Sequence, residues 1–276
     1  MTKFTAELSI NHLGMVNIAK KMIYSANEAG ADYVKLKYKN VKNYYSEKSQ
    51  KIWRNFNFQD YRASLELSKD DFENINDFCK TYNIKWFCTI HDEDGLDFIK
   101  RFDLPFYKIA SMDSANTELL LKVKKLCLDE NKTMIISVGG KTHQFTDKLI
   151  KSLKEDNLKA FILHTVSIYP TPIGQSNIGY IKTLIDKYED ENIRIGYSGH
   201  EIGYGASLVA ASLGANMIER HFSLSRDINI HHIKSALLPN EFAAMIRLIS
   251  ELKEEMSNSE DFSIDEFKFL ENRKYE

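Results

Sequence analysis

The sequence predicts a single-domain α/β protein of the (β/α)8 or TIM-barrel class, and three observations carry that prediction. The chain has 276 residues, 43% of them hydrophobic, enough to bury one large core without splitting, as barrels of about 250 residues do. Eight short apolar runs alternate with segments whose apolar residues recur at helical spacing. Polar and ionisable side chains gather at the C-terminal ends of those runs, the rim on which such barrels carry their chemistry. A doubly wound open sheet is the alternative, but no glycine-rich dinucleotide turn follows the first strand.

In chain order, FTAEL is a short strand ending in a carboxylate, and IAKKMIYSANEAGA is a helix stopped at Gly30. DYVKLK is the second strand. Tyr38 to Lys69 is then a long polar and aromatic segment, the length of a lid or binding loop rather than a plain connection. The helix DDFENINDFCKTYN restores the alternation, which continues as IKWFCT and EDGLDFIKRF, then FYKIAS and NTELLLKVKKLCL. TMIIS precedes a helix from about Gln144, and AFILH one from Asn177. RIGYS ends at a polar turn carrying Ser198 and His200, a small-residue helix runs from about Gly205 to Leu213, and NMIERH delivers His221. The last helix starts at Pro239. These elements define a barrel over residues 1–255, and 256–276 is a charged, weakly periodic tail that reads as a linker or frayed end.

Bulk composition excludes several function classes. The 37 basic and 39 acidic residues nearly cancel, so no global field argues for nucleic acid or an anionic membrane as partner. No apolar run reaches the roughly 18 residues of a membrane span. Cys79, Cys88 and Cys127 are odd in number, widely spaced and set among apolar neighbours, unlike a disulfide framework or a zinc site. They read as core thiols of a cytoplasmic protein.

The strands carry Glu7, Lys35, Thr89, Lys108 with Ser111 and Asp113, Ser137, Ser167, Ser198 with His200, and His221 to their C-terminal ends. Two lysines and several hydroxyls at a barrel mouth suit a ligand with a phosphate and a carboxylate. A strand-end serine more often only caps the next helix, but a lysine inside DYVKLK or FYKIAS is costly unless an anion pairs with it. His200 and His221 at matched positions on adjacent strands can hold one divalent metal and leave its other positions open; the alternative is that each imidazole merely bonds a carbonyl.

The blocks AELSINHLG, AGADYVKLK, WFCTIHD, YKIAS, ILHTVSIYPTP, GYSGHEIG, GANMIERHF and HHIKSALLPNEF resemble, in order and over nearly the whole chain, the signature blocks of the sialic acid (N-acetylneuraminate) synthases. That family also makes legionaminic and pseudaminic acids. The resemblance implies a (β/α)8 barrel that condenses phosphoenolpyruvate with an N-acetylated amino sugar and releases phosphate. It implies a divalent metal, usually manganese, with magnesium or cobalt as alternatives, held by His200 and His221. It implies that Lys35, Thr89, Lys108 and Ser111 hold the phosphoenolpyruvate carboxylate, that Ser137, Ser167 and Ser198 complete the phosphate site, and that Glu7 stands beside the reacting carbons. Asp113 and His231 take catalytic positions on the sugar side where the family has glutamate and aspartate. Gly199 replaces an aspartate and Lys37 a glutamine. The end of the chain, ENRKYE, is similar to the start of the family's linker to a small antifreeze-like domain, whose arginine reaches the partner subunit's sugar; that domain is absent from the sequence, and a homodimer is the expected assembly. The phosphoenolpyruvate side is thus retained and the acceptor side altered. A pyruvate-type lyase or aldolase and a non-catalytic sugar- or phosphoenolpyruvate-binding barrel are the alternative functions.

Overall fold

The computed structural model describes residues 2–45, 52–53, 56–256 and 264–273. Strand β1 (Lys3–Glu7) is followed by helix α1 (Val16–Glu28), strand β2 (Tyr33–Tyr38) and the short helix α2 (Val41–Tyr44). The two-residue strands β3 (Ile52–Trp53) and β4 (Phe56–Asn57) pair with each other, and helices α3 (Phe58–Ala63) and α4 (Lys69–Thr81) lead back to the barrel. The regular alternation then runs β5 (Trp86–Ile90), α5 (Glu93–Ile99), β6 (Phe106–Ile109), α6 (Thr117–Asp129), β7 (Thr133–Ser137), α7 (His143–Glu155), β8 (Ala160–Thr165), α8 (Tyr180–Tyr188), β9 (Ile193–Gly199), α9 (Gly205–Ser212), β10 (Met217–His221) and α10 (Pro239–Glu255). Eight parallel strands close in the order β1-β10-β9-β8-β7-β6-β5-β2, with the β3–β4 pair outside the barrel. The predicted barrel is therefore the observed fold.

Local chemistry sets the helix starts. Asp92, Asn116 and Thr142 each accept a backbone N–H three residues on, and Ser68 and Asp71 form a reciprocal capping box. Helix α8 begins at Tyr180 rather than at Asn177, because Asn177 sits at φ 47°, outside right-handed helical space. Strand β9 runs to Gly199, one residue beyond the RIGYS read from the sequence. Within the tail, Ile264–Arg273 form helix α11, where weak periodicity suggested a frayed end; its Glu, Lys, Phe and Leu residues are compatible with helix despite the poor pattern.

Alternation along the strands positions the site. Residues i, i+2 and i+4 share one face, and on the inward face the side chains change from apolar to polar along the strand. At the bottom, Phe87, Phe106, Ile135, Leu163 and Met217 pack as a separate buried cluster with Tyr33 and Phe161 against them. Two residues on, the same faces carry Lys35, Thr89, Lys108, Ser137, Thr165 and Glu219, all buried. The outward faces pack against the helices in the main core, which includes Val34, Leu36, Cys88, Ile109, Ile136 and Ile162. An apolar plug thus supports a polar floor.

Candidate active site

Above that floor lies a cavity of about 370 Å³, within the size range of small-molecule sites. Glu7, Lys35, Thr89, Lys108, Ser111, Ser137, Ser167, Ser198, His200, His221 and His231 all line it. Of the site residues read from the sequence, Asp113 alone is not among the lining residues. Its Oδ2 lies 2.7 Å from His91 Nδ1, and its Oδ1 accepts from the Tyr44 hydroxyl at 2.8 Å. Asp113 therefore stands behind His91, which does line the cavity and whose Nε2 is buried without a partner.

The inner wall is built around a carboxylate that the strand-end reading passed over. Glu219 Oε1 accepts from Lys35 Nζ at 2.7 Å, Lys108 Nζ at 2.5 Å and Ser198 Oγ at 3.0 Å. Lys35 Nζ also lies 2.6 Å from Glu7 Oε2. Burial pushes the Glu219 carboxyl up, but Lys108 and Lys35 outweigh it and bring it down to about 2. Burial, opposed by Glu219, lowers the Lys35 ammonium well below the usual lysine range. The sequence held a signal for Glu219: it shares the inward face with His221, two residues on.

The hydroxyls are arranged around these lysines. Ser137 Oγ is buried with no partner, and Ser111 Oγ accepts the Gly139 N–H at 2.9 Å. A Cβ on Gly139 would come within 2.6 Å of Thr165 Cγ2 and 2.7 Å of Ser167 Oγ, so a glycine is needed for this turn to close on the cavity. Gly199 has a different reason. A Cβ there would meet Glu201 Oε2 at 2.5 Å and Tyr197 Cε1 at 2.6 Å. Gly199 lies next to the buried Arg220–Glu201 ion pair (2.7 Å) and does not line the cavity. The absence of a side chain at Gly199 is thus tied to packing behind the wall.

Four imidazoles continue the wall beyond Glu219 and Ser198. His200 and His221 have ring centroids 5.5 Å apart, His232 stacks on His221 at 4.5 Å, and His231 meets His232 edge-on at 4.6 Å. Tyr169, from the loop after β8, lies 4.1 Å from His200 and 5.8 Å from His221. Burial lowers His200 to about 4 and His221 well below the histidine range, so both are neutral lone-pair donors near neutral pH. His200 Nδ1 lies 2.8 Å from the Val166 carbonyl, which commits that nitrogen as a donor and leaves Nε2 for a ligand. The Nδ1 of His221 is buried with no partner. This donor pair fits a divalent cation with open positions; among the described residues no group of three or more His, Cys, Asp or Glu forms a metal cluster.

The segment between β2 and α4 supplies the outer wall through Lys39, Tyr45 and Arg62. This agrees with the binding-loop reading of Tyr38–Lys69, of which 46–51 and 54–55 lie outside the described residues. Lys39, Arg62, His91, Tyr169, Glu219 and His232 are among the lining residues that sequence reasoning did not assign.

The NeuB family model matches residues 22–261. An N-acetylneuraminate-9-phosphate synthase of Drosophila melanogaster is 32% identical over 256 residues, covering 90% of this chain and 67% of that protein. An N,N'-diacetyllegionaminic acid synthase of Campylobacter jejuni is 30% identical over 269 residues, covering 93% and 78%. A solved N-acetylneuraminic acid (sialic acid) synthetase from Leptospira borgpetersenii superposes with a TM-score of 0.83 at 26% identity, covering 99% of this chain and 91% of the other. With its barrel, its lysine–glutamate floor and its paired histidines, the chain belongs to the NeuB family.

Proposed function

We propose that the protein is a carbon–carbon bond-forming transferase that condenses phosphoenolpyruvate with an aldose, an amino sugar by class, to give a nonulosonic or related 3-deoxy-keto sugar acid and inorganic phosphate. The observation that supports this most is the convergence of Lys35 and Lys108 on one buried point, with the unpartnered Ser137 hydroxyl and two neutral imidazoles in the same cavity.

The chemistry follows from those groups. Lys35 and Lys108 neutralise the carboxylate and phosphate of phosphoenolpyruvate, and Thr89, Ser111, Ser137, Ser167 and Ser198 supply hydrogen bonds. The methylene carbon then attacks the aldehyde carbon, whose oxygen takes up a proton. A divalent metal held by His200 and His221, manganese with magnesium or cobalt as alternatives, would polarise that aldehyde. Water adds at the cationic enol carbon, loses its proton towards Glu7, and phosphate leaves from the tetrahedral intermediate. Phosphate leaves from the tetrahedral intermediate without any bond to the enzyme, so no Schiff base is required.

The three cysteines are buried free thiols, which supports a cytoplasmic setting, and no helix among the described residues is long and apolar enough to cross a membrane. Pairing of two copies is part of the same reading, with sedimentation as its check. The function itself is tested by phosphate release from phosphoenolpyruvate across a panel of aldoses with manganese. Release that requires an aldose and yields one keto acid per phosphate supports the condensation, and its absence with every aldose refutes it. N-acetylmannosamine is expected to turn over at less than about 1 per second, because Lys37 and His231 alter the acceptor side.

A further inference from the structure

We propose that Arg220, with Ser235, is a positioning residue for the candidate metal pair: from behind the barrel wall it clamps the backbone on both sides of His200 and so sets where that imidazole stands relative to His221. The proposal rests on reading His200 and His221 as the pair that holds a divalent cation.

Alternation along β10 places Arg220 on the outer face. Glu219 and His221 line the cavity, so the residue between them points away from it, toward the layer where strands pack on helices. Arg220 is nevertheless 0% exposed. A guanidinium taken out of water is costly unless it is paired and its N–H groups find acceptors.

All five of its N–H groups have an acceptor. Nε donates to the Gly199 carbonyl at 3.0 Å. Nη1 donates to Glu201 Oε1 at 2.7 Å and to Ser207 Oγ at 2.9 Å. Nη2 donates to the Glu201 carbonyl at 2.8 Å and to the Ser235 carbonyl at 3.2 Å. The Glu201 carboxylate that balances the charge is itself fixed, with Oε1 accepting from the Ser207 hydroxyl at 2.8 Å and Oε2 from the Tyr197 hydroxyl at 2.9 Å.

Charge balance alone does not call for the main-chain contacts. The carbonyls of Gly199 and Glu201 flank His200. The carbonyl between them, that of His200 itself, accepts from the Ser235 hydroxyl at 2.7 Å and from the Thr171 N–H at 2.9 Å. Arg220 directly precedes His221 in the chain, so one guanidinium ties the backbones of both histidines together.

Strand register says why a clamp is needed there. Pairing between β9 and β10 ends at Gly199 and Arg220, so the ladder stops one residue short of both imidazoles. The guanidinium carries the connection past that point. It also holds the end of the short turn Ile233–Ser235, and His232 just before that turn stacks on His221 at 4.5 Å.

A site with two protein donors depends on how well their separation is held. Among the described residues no third His, Cys, Asp or Glu groups with them to hold a metal. Residues that orient metal ligands from behind commonly change metal affinity by about 10- to 100-fold. Lysine cannot replace the fork, because it keeps the charge but carries its donors on one nitrogen and cannot span the same set of carbonyls.

The test is calorimetric titration of manganese into the full chain and three variants, with urea denaturation reporting that each is folded. Arg220→Lys is expected to bind manganese about tenfold or more weakly. Ser235→Ala, which removes the bond to the His200 carbonyl, is expected to bind it about threefold or more weakly. Ser207→Ala is the control: it touches the same guanidinium and carboxylate but not the backbone around His200, so it loses stability while its manganese affinity stays within about twofold of the parent. Parent-like affinity in Arg220→Lys, or an equal loss in Ser207→Ala, overturns the proposal. Should Arg220→Lys fail to fold, Ser235→Ala decides, and parent-like affinity there overturns it. A parent that binds no manganese removes the metal pair and the clamp's role together, whereas equal binding by parent and variants leaves the metal pair standing and refutes only the clamp.

Discussion

Lys108 Nζ lies 2.5 Å from Glu219 Oε1, and the same oxygen accepts from Lys35 at 2.7 Å. One buried carboxylate thus holds two ammonium groups, from strands β2 and β6 on either side of β5. Removing it as Glu219→Ala leaves both cations inadequately compensated, which costs about 3 to 5 kcal/mol for a broken buried pair. Urea denaturation measures this, and a loss under about 1 kcal/mol would mean that the lysines find water or each other's partners. Phosphoenolpyruvate should raise the melting temperature of this variant more than that of the parent, because its anions replace the lost charge.

The histidine pair makes a separate prediction. His200 is oriented by the Val166 carbonyl and His221 keeps an unpartnered Nδ1, so His200→Ala with His221→Ala should abolish binding of manganese by calorimetry. Undiminished binding in the double variant would place any metal elsewhere.

Acid stability should report another buried imidazole. His12 Nδ1 accepts the Gly14 N–H at 3.1 Å, and burial lowers its pKa to about 4. Between that value and the ordinary 6.5, the unfolded chain binds a proton that the folded chain does not. Stability is therefore lost as pH falls through this window, by up to about 3 kcal/mol from this one group. His12→Asn should flatten the dependence of the urea midpoint on pH between 6.5 and 4.5, and an unchanged slope would show that other groups carry it.

The barrel and most of the rim were legible because strand alternation has a fixed period: once DYVKLK and FYKIAS are strands, Lys35 and Lys108 must point inward. Glu219 was legible by the same rule but was passed over, since only the last residue of NMIERH was taken. Asp113 was misplaced because the turn after β6 carries it behind His91, a rotation that no strand periodicity encodes. Tyr169, Arg62 and His232 reach the cavity from loops and a short helix, and tertiary packing alone brings them there. Gly199 shows the converse: its identity is set by the Arg220–Glu201 pair behind the wall.

The central claim is that Lys35 and Lys108 form the phosphoenolpyruvate site. The direct measurement is calorimetric titration of phosphoenolpyruvate, without sugar, into the parent and Lys108→Ala. Loss of a buried charged partner should weaken binding by about 2 kcal/mol or more, a factor of about 30. Equal affinity in the two proteins would contradict the assignment of the site.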